Sequence, residues 1–332
     1  MVKMKLSDIG ERKIIEIFAE EFKKNRCENV VVGIGDDATV LSWDDENYLV
    51  ISNDMISKES HIPREMSPRQ TGKYVVNINL SDIASMGAKP LSLVFSFGLP
   101  PDLDENFVVE LSEGINEACK EHKTCILGGD TKEHSEIVIS GTAFGIVEKD
   151  RLLTRSGAQI GDLICVTGSI GMAATGFYAL INNLNLKKNV RERAIKAALE
   201  PKARMREGFI LGKYANACMD ISDGLAYSLY EISRMSNVGT MIYEDKMPVD
   251  EDVKTISKLA GVDIDEVVFH KGGDYELLFT ISPEKYNSLV EEIETKVGII
   301  GEVTKEGLKI LNSRNEIVDL EPRGYESFVT KF

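Results

Sequence analysis

Apolar residues recur at helical spacing near the amino terminus, where Ile14, Ile15, Phe18 and Phe22 follow Asp8-x-x-Glu11. The pattern predicts an opening amphipathic helix with a capping box. Short β-branched runs predict strands at Val30–Ile34 and Tyr48–Ile51, each with an aspartate-bearing turn at its carboxyl end. Ser67-Pro68-Arg69 opens a second helical pattern running to about Gly87, which places Asp82 on a helix among Ile78, Leu80, Ile83 and Ala84. A carboxylate on such a face needs a partner if it is buried. A metal, a neighbouring arginine or solvent would each meet that need. Strand patterns follow at Leu91–Leu99, Thr124–Leu127 and Ile137–Ile146, with a helix over Asp104–His122 between the first two.

Between Val147 and Asp162 the chain turns polar and glycine-bearing, which marks the boundary between two units, 1–150 and 151–332. The second unit again mixes elements. It predicts a strand from Leu163 to Gly168, helices from about Gly171 and Pro201, a strand ending at Met219, a helix after Asp223 and a strand over Glu276–Thr280. The fold class is therefore α/β with mixed elements in both units. Ile164–Ile181 is long and free of charge, but Gly168, Gly171 and Gly176 with interspersed Thr and Ser suit a buried strand, turn and helix better than a membrane span.

The 332 residues, 43% of them hydrophobic, suffice for about two packed cores. A formal net charge of -15 disfavours nucleic acid and anionic membrane as partners, because both would repel the chain and no long basic run offsets the deficit. Five cysteines without Cys-x-x-Cys spacing point away from a disulfide framework or structural zinc, so a reducing cytoplasm is the expected compartment. Cys165 and Cys218 lie in apolar stretches and read as core residues. The amino-terminal stretch alternates charged and apolar residues, and no export signal is expected.

Charge gains meaning from five short runs: Gly33-Ile-Gly-Asp-Asp37, Ser52-Asn-Asp54, Asn79-Leu-Ser-Asp82, Gly128-Gly-Asp-Thr131 and Asp220-Ile-Ser-Asp-Gly224. Singly, each reads as an ordinary turn. Together they suggest one dispersed magnesium and phosphate site, since magnesium takes one or two carboxylates plus substrate phosphates. No Gly-x-x-x-x-Gly-Lys run and no protein-kinase motif set is present, so phosphate binding must be built differently. If the acceptor is a phosphate monoester, it is mostly dianionic at neutral pH and needs no protein general base. Two dianions about 4 Å apart then repel by roughly 16 kcal/mol at an effective dielectric of about 20, which bound cations offset. Arg155, in Thr-Arg-Ser-Gly, reads either as a fork for phosphate oxygens or as a junction arginine, and Gly168–Gly171 as a possible anion-binding turn.

In order, these runs with His61, Met86-Gly-Ala88, Thr154-Arg-Ser-Gly-Ala158, Gly161-Asp162 and Asp274-Tyr-Glu-Leu277 resemble the thiamine-monophosphate kinases, a family in the aminoimidazole ribonucleotide synthetase superfamily. The likeness spans nearly the whole chain. It implies a two-domain fold in which residues 1–150 bind ATP and magnesium and pair through their sheets in a homodimer, while residues 151–332 complete the active site. It implies ATP-dependent phosphorylation of thiamine monophosphate to thiamine diphosphate by in-line transfer, with several magnesium ions and no catalytic side chain. By position, Asp37, Ser52, Asn53, Asp54, Asp82, Asp130, Asp220 and Asp223 would be metal ligands; Gly129, Asp130, Arg155 and Ser222 would contact ATP; His61 and Tyr325 would face thiamine.

Three positions depart from the family pattern. Gly273 stands where a substrate-facing glutamate is common, Asn53 where a hydroxyl residue is usual, and Pro322 where an aromatic residue is common. The alternatives are aminoimidazole ribonucleotide synthetase or another ATP-dependent enzyme of the superfamily, and a non-catalytic nucleotide-binding protein. The hydrogenase-maturation branch needs a carboxyl-terminal cysteine, and this chain reads Val329-Thr-Lys-Phe332 there.

Overall fold

The computed structural model describes residues 5–25 and 27–329; the ends of both terminal runs read above lie outside them. The first half contains α1 (Leu6–Phe22), β1 (Val30–Val32), β2 (Thr39–Ser42), β3 (Asn47–Ser57), α2 (Pro68–Ser85), β4 (Lys89–Leu99), α3 (Glu105–Glu121), β5 (Ile126–Glu133) and β6 (Val138–Glu148). Its strands form one sheet in the order β1-β2-β3-β6-β4-β5. All neighbours are antiparallel except β4 and β5, whose connection is α3. The second half contains β7 (Leu163–Thr167), α4 (Met172–Ile181), α5 (Lys188–Leu199), α6 (Met205–Leu211), β8 (Ala217–Asp220), α7 (Leu225–Ser236) and β9 (Gly239–Tyr243). It continues with α8 (Glu251–Ala260), α9 (Ile264–His270), β10 (Leu277–Ile281), α10 (Pro283–Glu292), β11 (Val297–Thr304), β12 (Leu308–Leu311) and β13 (Ile317–Asp319). These strands form a second sheet in the order β13-β12-β9-β11-β7-β10-β8.

Helix α2 is the structural centre of the first half. Ser67 accepts the Gln70 amide while the Gln70 side chain accepts the Ser67 amide, and Pro68 at the first position costs no hydrogen bond. Val75, Val76, Leu80 and Ile83 are wholly buried along it. Its approach to α3 depends on two glycines: a Cβ on Gly114 would lie 2.0 Å from the Arg69 carbonyl, and one on Gly72 would lie 2.3 Å from that of Leu111. Among the described residues, no helix is long and apolar enough to cross a membrane, and Ile164–Ile181 is β7 followed by α4. Cys165 and Cys218 are fully buried.

Several sequence expectations change. Helix α1 begins at Leu6, and Asp8 rather than Glu11 serves the cap, its carboxylate accepting the Lys5 amide at 2.7 Å. The helix kinks at Gly10, whose φ of 75° lets Glu326 approach where a side chain would collide. Strand β3 is longer than expected. Ser52, Asn53 and Asp54 lie inside it and not in a turn after it, because facing β6 offers small partners, Ala143, Thr142 and Gly141. Strand β5 likewise carries Gly128-Gly-Asp-Thr131 within it.

Packing at Gly114 gives a test with a definite sign. Alanine should favour the helix by about 1 kcal/mol on propensity, yet the backbone collision costs up to about 3 kcal/mol. Gly114→Ala is therefore expected to lower stability by about 2 kcal/mol net in urea unfolding; a stabilised variant would contradict the close helix crossing.

Candidate active site

Alternation along β3 turns Ser52 and Asp54 toward α2 and Asn53 toward the opposite face of the sheet. From α2, Asn79 accepts the Asp54 amide at 3.1 Å, and Ser52 donates its hydroxyl to Asp82 Oδ2. The adjacent residue on the helix, Ser81, reaches the other way and donates to Asp220 Oδ2 at 2.6 Å, at the end of β8. Asp220 in turn donates its amide to Asp37 Oδ2 at 3.3 Å. One helix thus brings carboxylates of both sheets together. Two neighbouring residues on a helix point about 100° apart, so Ser81 and Asp82 can serve different domains.

These carboxylates are not neutralised in proportion to their number. Burial first, then the charges of Asp37 and Glu11, push Asp54 up to about 6. Burial followed by Asp54, Asp220 and Asp37 pushes Asp82 well above the usual range. Asp220 is pushed up to about 8 by burial and Asp37, and Asp223 to about 7 by burial and Glu11. Asp37 has a protein cation: Arg155 Nε donates to its Oδ1 at 2.7 Å, with Nη2 on the same oxygen at 2.6 Å. Backbone N–H of Arg155 is held by Asp36 at 3.1 Å.

All these donors are oxygens, which suits a hard divalent cation. Among the described residues no three His, Cys, Asp or Glu groups lie close enough to hold an ion by themselves. The set fits magnesium that draws its remaining ligands from water and phosphate, and it is not a closed protein cage.

The remaining predicted residues occupy distinct places. Asn53 is exposed on the outer sheet face and donates to the Gly141 carbonyl at 2.7 Å, so the strand's alternation keeps it from the Asp54 side. Asp130 shares that outer face: paired β residues run Met55, Ser140, Ser96, Asp130. Its side chain is 60% exposed beside Lys132 at 3.2 Å. Within one chain, neither joins the cluster. Gly129 admits no side chain, since a Cβ would lie 1.8 Å from the Phe95 carbonyl. Ser222 is fixed through its carbonyl, which accepts the Gly273 amide at 2.8 Å.

His61 hydrogen-bonds Ser60 Oγ through Nδ1 at 2.6 Å, and burial lowers its pKa against the opposing pull of Glu11. Tyr325 donates its amide to the Asp223 carbonyl at 2.8 Å, which places it beside the cluster. Gly273 adopts φ 97°, with Ala173 and Phe177 as its nearest neighbours, so the backbone as well as the side chain differs from what a glutamate would prefer. The turn at Gly168–Gly171 is no anion site: Gly168 and Ile170 amides go to the Lys296 and Pro248 carbonyls, and Asp274 takes those of Gly171 and Ala173.

Sequence reading passed over several residues here. Tyr74 and Tyr275 meet edge to face with hydroxyls 3.2 Å apart, joining α2 to the second unit. Glu11 accepts the Ser327 amide, and Arg12 lies over the Tyr227 ring at 3.6 Å. Tyr275 lay in a quoted motif and Glu11 in the predicted capping box, while nothing in the local sequence distinguishes Tyr74, Arg12 or Tyr227 from surface residues.

Comparison with known proteins agrees with this arrangement. Residues 35–147 match the family described as AIR synthase related protein, N-terminal domain, and residues 159–312 match the corresponding C-terminal domain. The chain is 39% identical over 284 residues to a thiamine-monophosphate kinase of Pyrococcus horikoshii, covering 86% of each chain. It is 36% identical over 316 residues to that of Pyrococcus abyssi, covering 95% of each. The solved structure of AaThiL complexed with AMPPCP and TMP superposes with a TM-score of 0.87 at 28% identity, covering 98% of this chain and 100% of that one.

The raised carboxyl values set a pH dependence. Each such group binds its proton more tightly folded than unfolded, so its stabilising contribution is complete below about pH 4 and is lost as pH rises through 6 to 8. In chelator, the melting temperature is expected to fall between pH 5.5 and 8.5. Millimolar magnesium should restore several degrees at pH 8 and less at pH 6. A magnesium response equal at both pH values would count against the carboxylate cluster as the cation site.

Proposed function

The chain belongs to the thiamine-monophosphate kinases of the AIR synthase related family, and from that premise we propose that its carboxylate cluster is the site of phosphoryl transfer from ATP to thiamine monophosphate. The enzyme forms thiamine diphosphate and ADP. The observation that carries the assignment is the convergence of Asp37, Asp54, Asp82 and Asp220 from two sheets on one helix. A phosphate oxygen of the acceptor forms the new bond to the γ-phosphorus while the bond to the β,γ-bridging oxygen breaks. The acceptor oxygen already bears charge at neutral pH, so the protein needs to position it and need not deprotonate it.

Magnesium, when bound, supplies the positive charge that offsets repulsion between the two anions. Asp37, Ser52, Asp54, Asp82, Asp220 and Asp223 would hold it within this chain, with Asn53 and Asp130 on the outer face. Ser52 orients Asp82, Ser81 orients Asp220, and Asn79 fixes the β3 backbone at Asp54. Arg155, with Ser222 and Gly129, is assigned to the nucleotide. His61 and Tyr325 are assigned to the thiamine moiety.

A homodimer paired through the first sheet belongs to this reading. Its support is the exposure of Asn53, Asp130, Met55 and Leu127 on β3 and β5. A second copy against the outer face could bring Asn53 and Asp130 to a shared site. The division at 150/151 into a nucleotide-binding, dimerising part and a completing part is proposed with it. So is a cytoplasmic location, which the five free cysteines favour.

Two experiments test the proposal. Purified protein with magnesium and ATP should form product with thiamine monophosphate and none with formylglycinamidine ribonucleotide; the reverse result would favour the synthetase branch. Asp82→Asn, which keeps shape and removes charge, should lower turnover at least about a hundredfold, or about 2.7 kcal/mol of transition-state stabilisation. Turnover within a few-fold of the parent would remove Asp82 from the metal set.

A further inference from the structure

Helix α7 holds the Arg155 loop at two levels. On the main chain, Ser236 Oγ donates to the Arg155 carbonyl at 3.3 Å and accepts the Gly157 and Ala158 amides, each at 3.1 Å. One and a half turns earlier on the same helix, Glu231 Oε2 accepts Arg155 Nη1 at 3.4 Å. Glu231 is 4% exposed, and Arg234 donates to both its oxygens, Nη2 to the shared Oε2 at 2.7 Å and Nε to Oε1 at 3.2 Å. The i,i+3 spacing of Glu231 and Arg234 looks like a routine surface pair in sequence. Its burial beneath Arg155 gives it a different use.

The guanidinium has five N–H donors in a fixed plane. Asp37 engages Nε and Nη2, and Glu231 engages one hydrogen of Nη1. Two donors remain for an anion. Asp37 is also assigned to the metal, and a carboxylate shared with a divalent cation holds a guanidinium less firmly. Glu231 is the second carboxylate on Arg155, and Arg234 alone among the described residues competes for it.

We propose that Glu231 is a positioning residue that keeps the Arg155 guanidinium aimed at the nucleotide phosphates while Asp37 is shared with metal. The proposal rests on the assignment of Arg155 to the nucleotide. It extends that assignment to a residue that touches no substrate.

A double-mutant cycle tests it by calorimetric binding of a nonhydrolysable ATP analogue with magnesium to the full-length protein. Glu231→Gln is expected to weaken binding about tenfold in the parent background and less than twofold when Arg155→Gln is already present. Glu231→Asp, which keeps the charge one methylene shorter, should recover part of the loss and serves as the comparison if the glutamine variant folds poorly. Equal losses in both backgrounds would show a general structural role and overturn the proposal, as would a loss under twofold in the parent. If Arg155→Gln itself leaves affinity unchanged, the nucleotide assignment of Arg155 fails and the positioning role falls with it. Weakened binding by Arg155→Gln with a silent Glu231→Gln removes the positioning role alone.

Discussion

Mutual repulsion among buried carboxylates is the constraint around which the rest of this molecule is arranged. Asp37, Asp54, Asp82 and Asp220 are drawn together out of bulk water, where burial and then neighbouring carboxylates raise the proton affinity of Asp54, Asp82 and Asp220. Folding alone gains nothing from such a grouping; isolated, it is a cost. The surrounding structure therefore has to hold it: Ser52, Ser81, the Asp220 amide and Arg155 each donate to one of these carboxylates, and Asn79 accepts the Asp54 amide. Such a cluster accords with the proposed reaction, in which two anions would meet through cations held between them.

Helix α2 makes the arrangement rigid. It packs its apolar stripe against the first sheet and α3 while presenting Ser81 and Asp82 to different halves of the chain. The hydroxyl contact between Tyr74 and Tyr275 adds a second joint between the same elements. Tyr275 has a left-handed φ of 51°, an uncommon state for a bulky residue that the flanking contacts of Asp274 and Glu276 must maintain. Site geometry and domain docking are thus one problem here, because the clustered carboxylates come from both sides of the junction.

Legibility in the sequence followed physical locality. Helices with caps and periodic apolar faces, such as α2 and α3, were readable because their determinants lie within a few residues. Strands β3 and β5 were shortened in that reading because polar and glycine residues look like turns. Only the small residues of β6, distant in sequence, explain how β3 accommodates Ser52, Asn53 and Asp54. Arg12 and Glu231 were invisible for the same reason, and Glu11 was read only as a helix cap: their significance comes from partners such as Tyr227, Arg155 and Ser327.

The order and wording of the aspartate runs by themselves pointed to a site of oxygen donors, since side-chain oxygens and the lack of a P-loop or histidine pair are matters of residue type. The family resemblance follows from the same runs. Tertiary structure decided which of those carboxylates share a space. Strand alternation sends Asp54 inward and Asn53 outward, and the sheet order places Asp130 on an exposed edge strand. A side chain's direction depends on strand register and helix phase, and those are fixed by partners far along the chain.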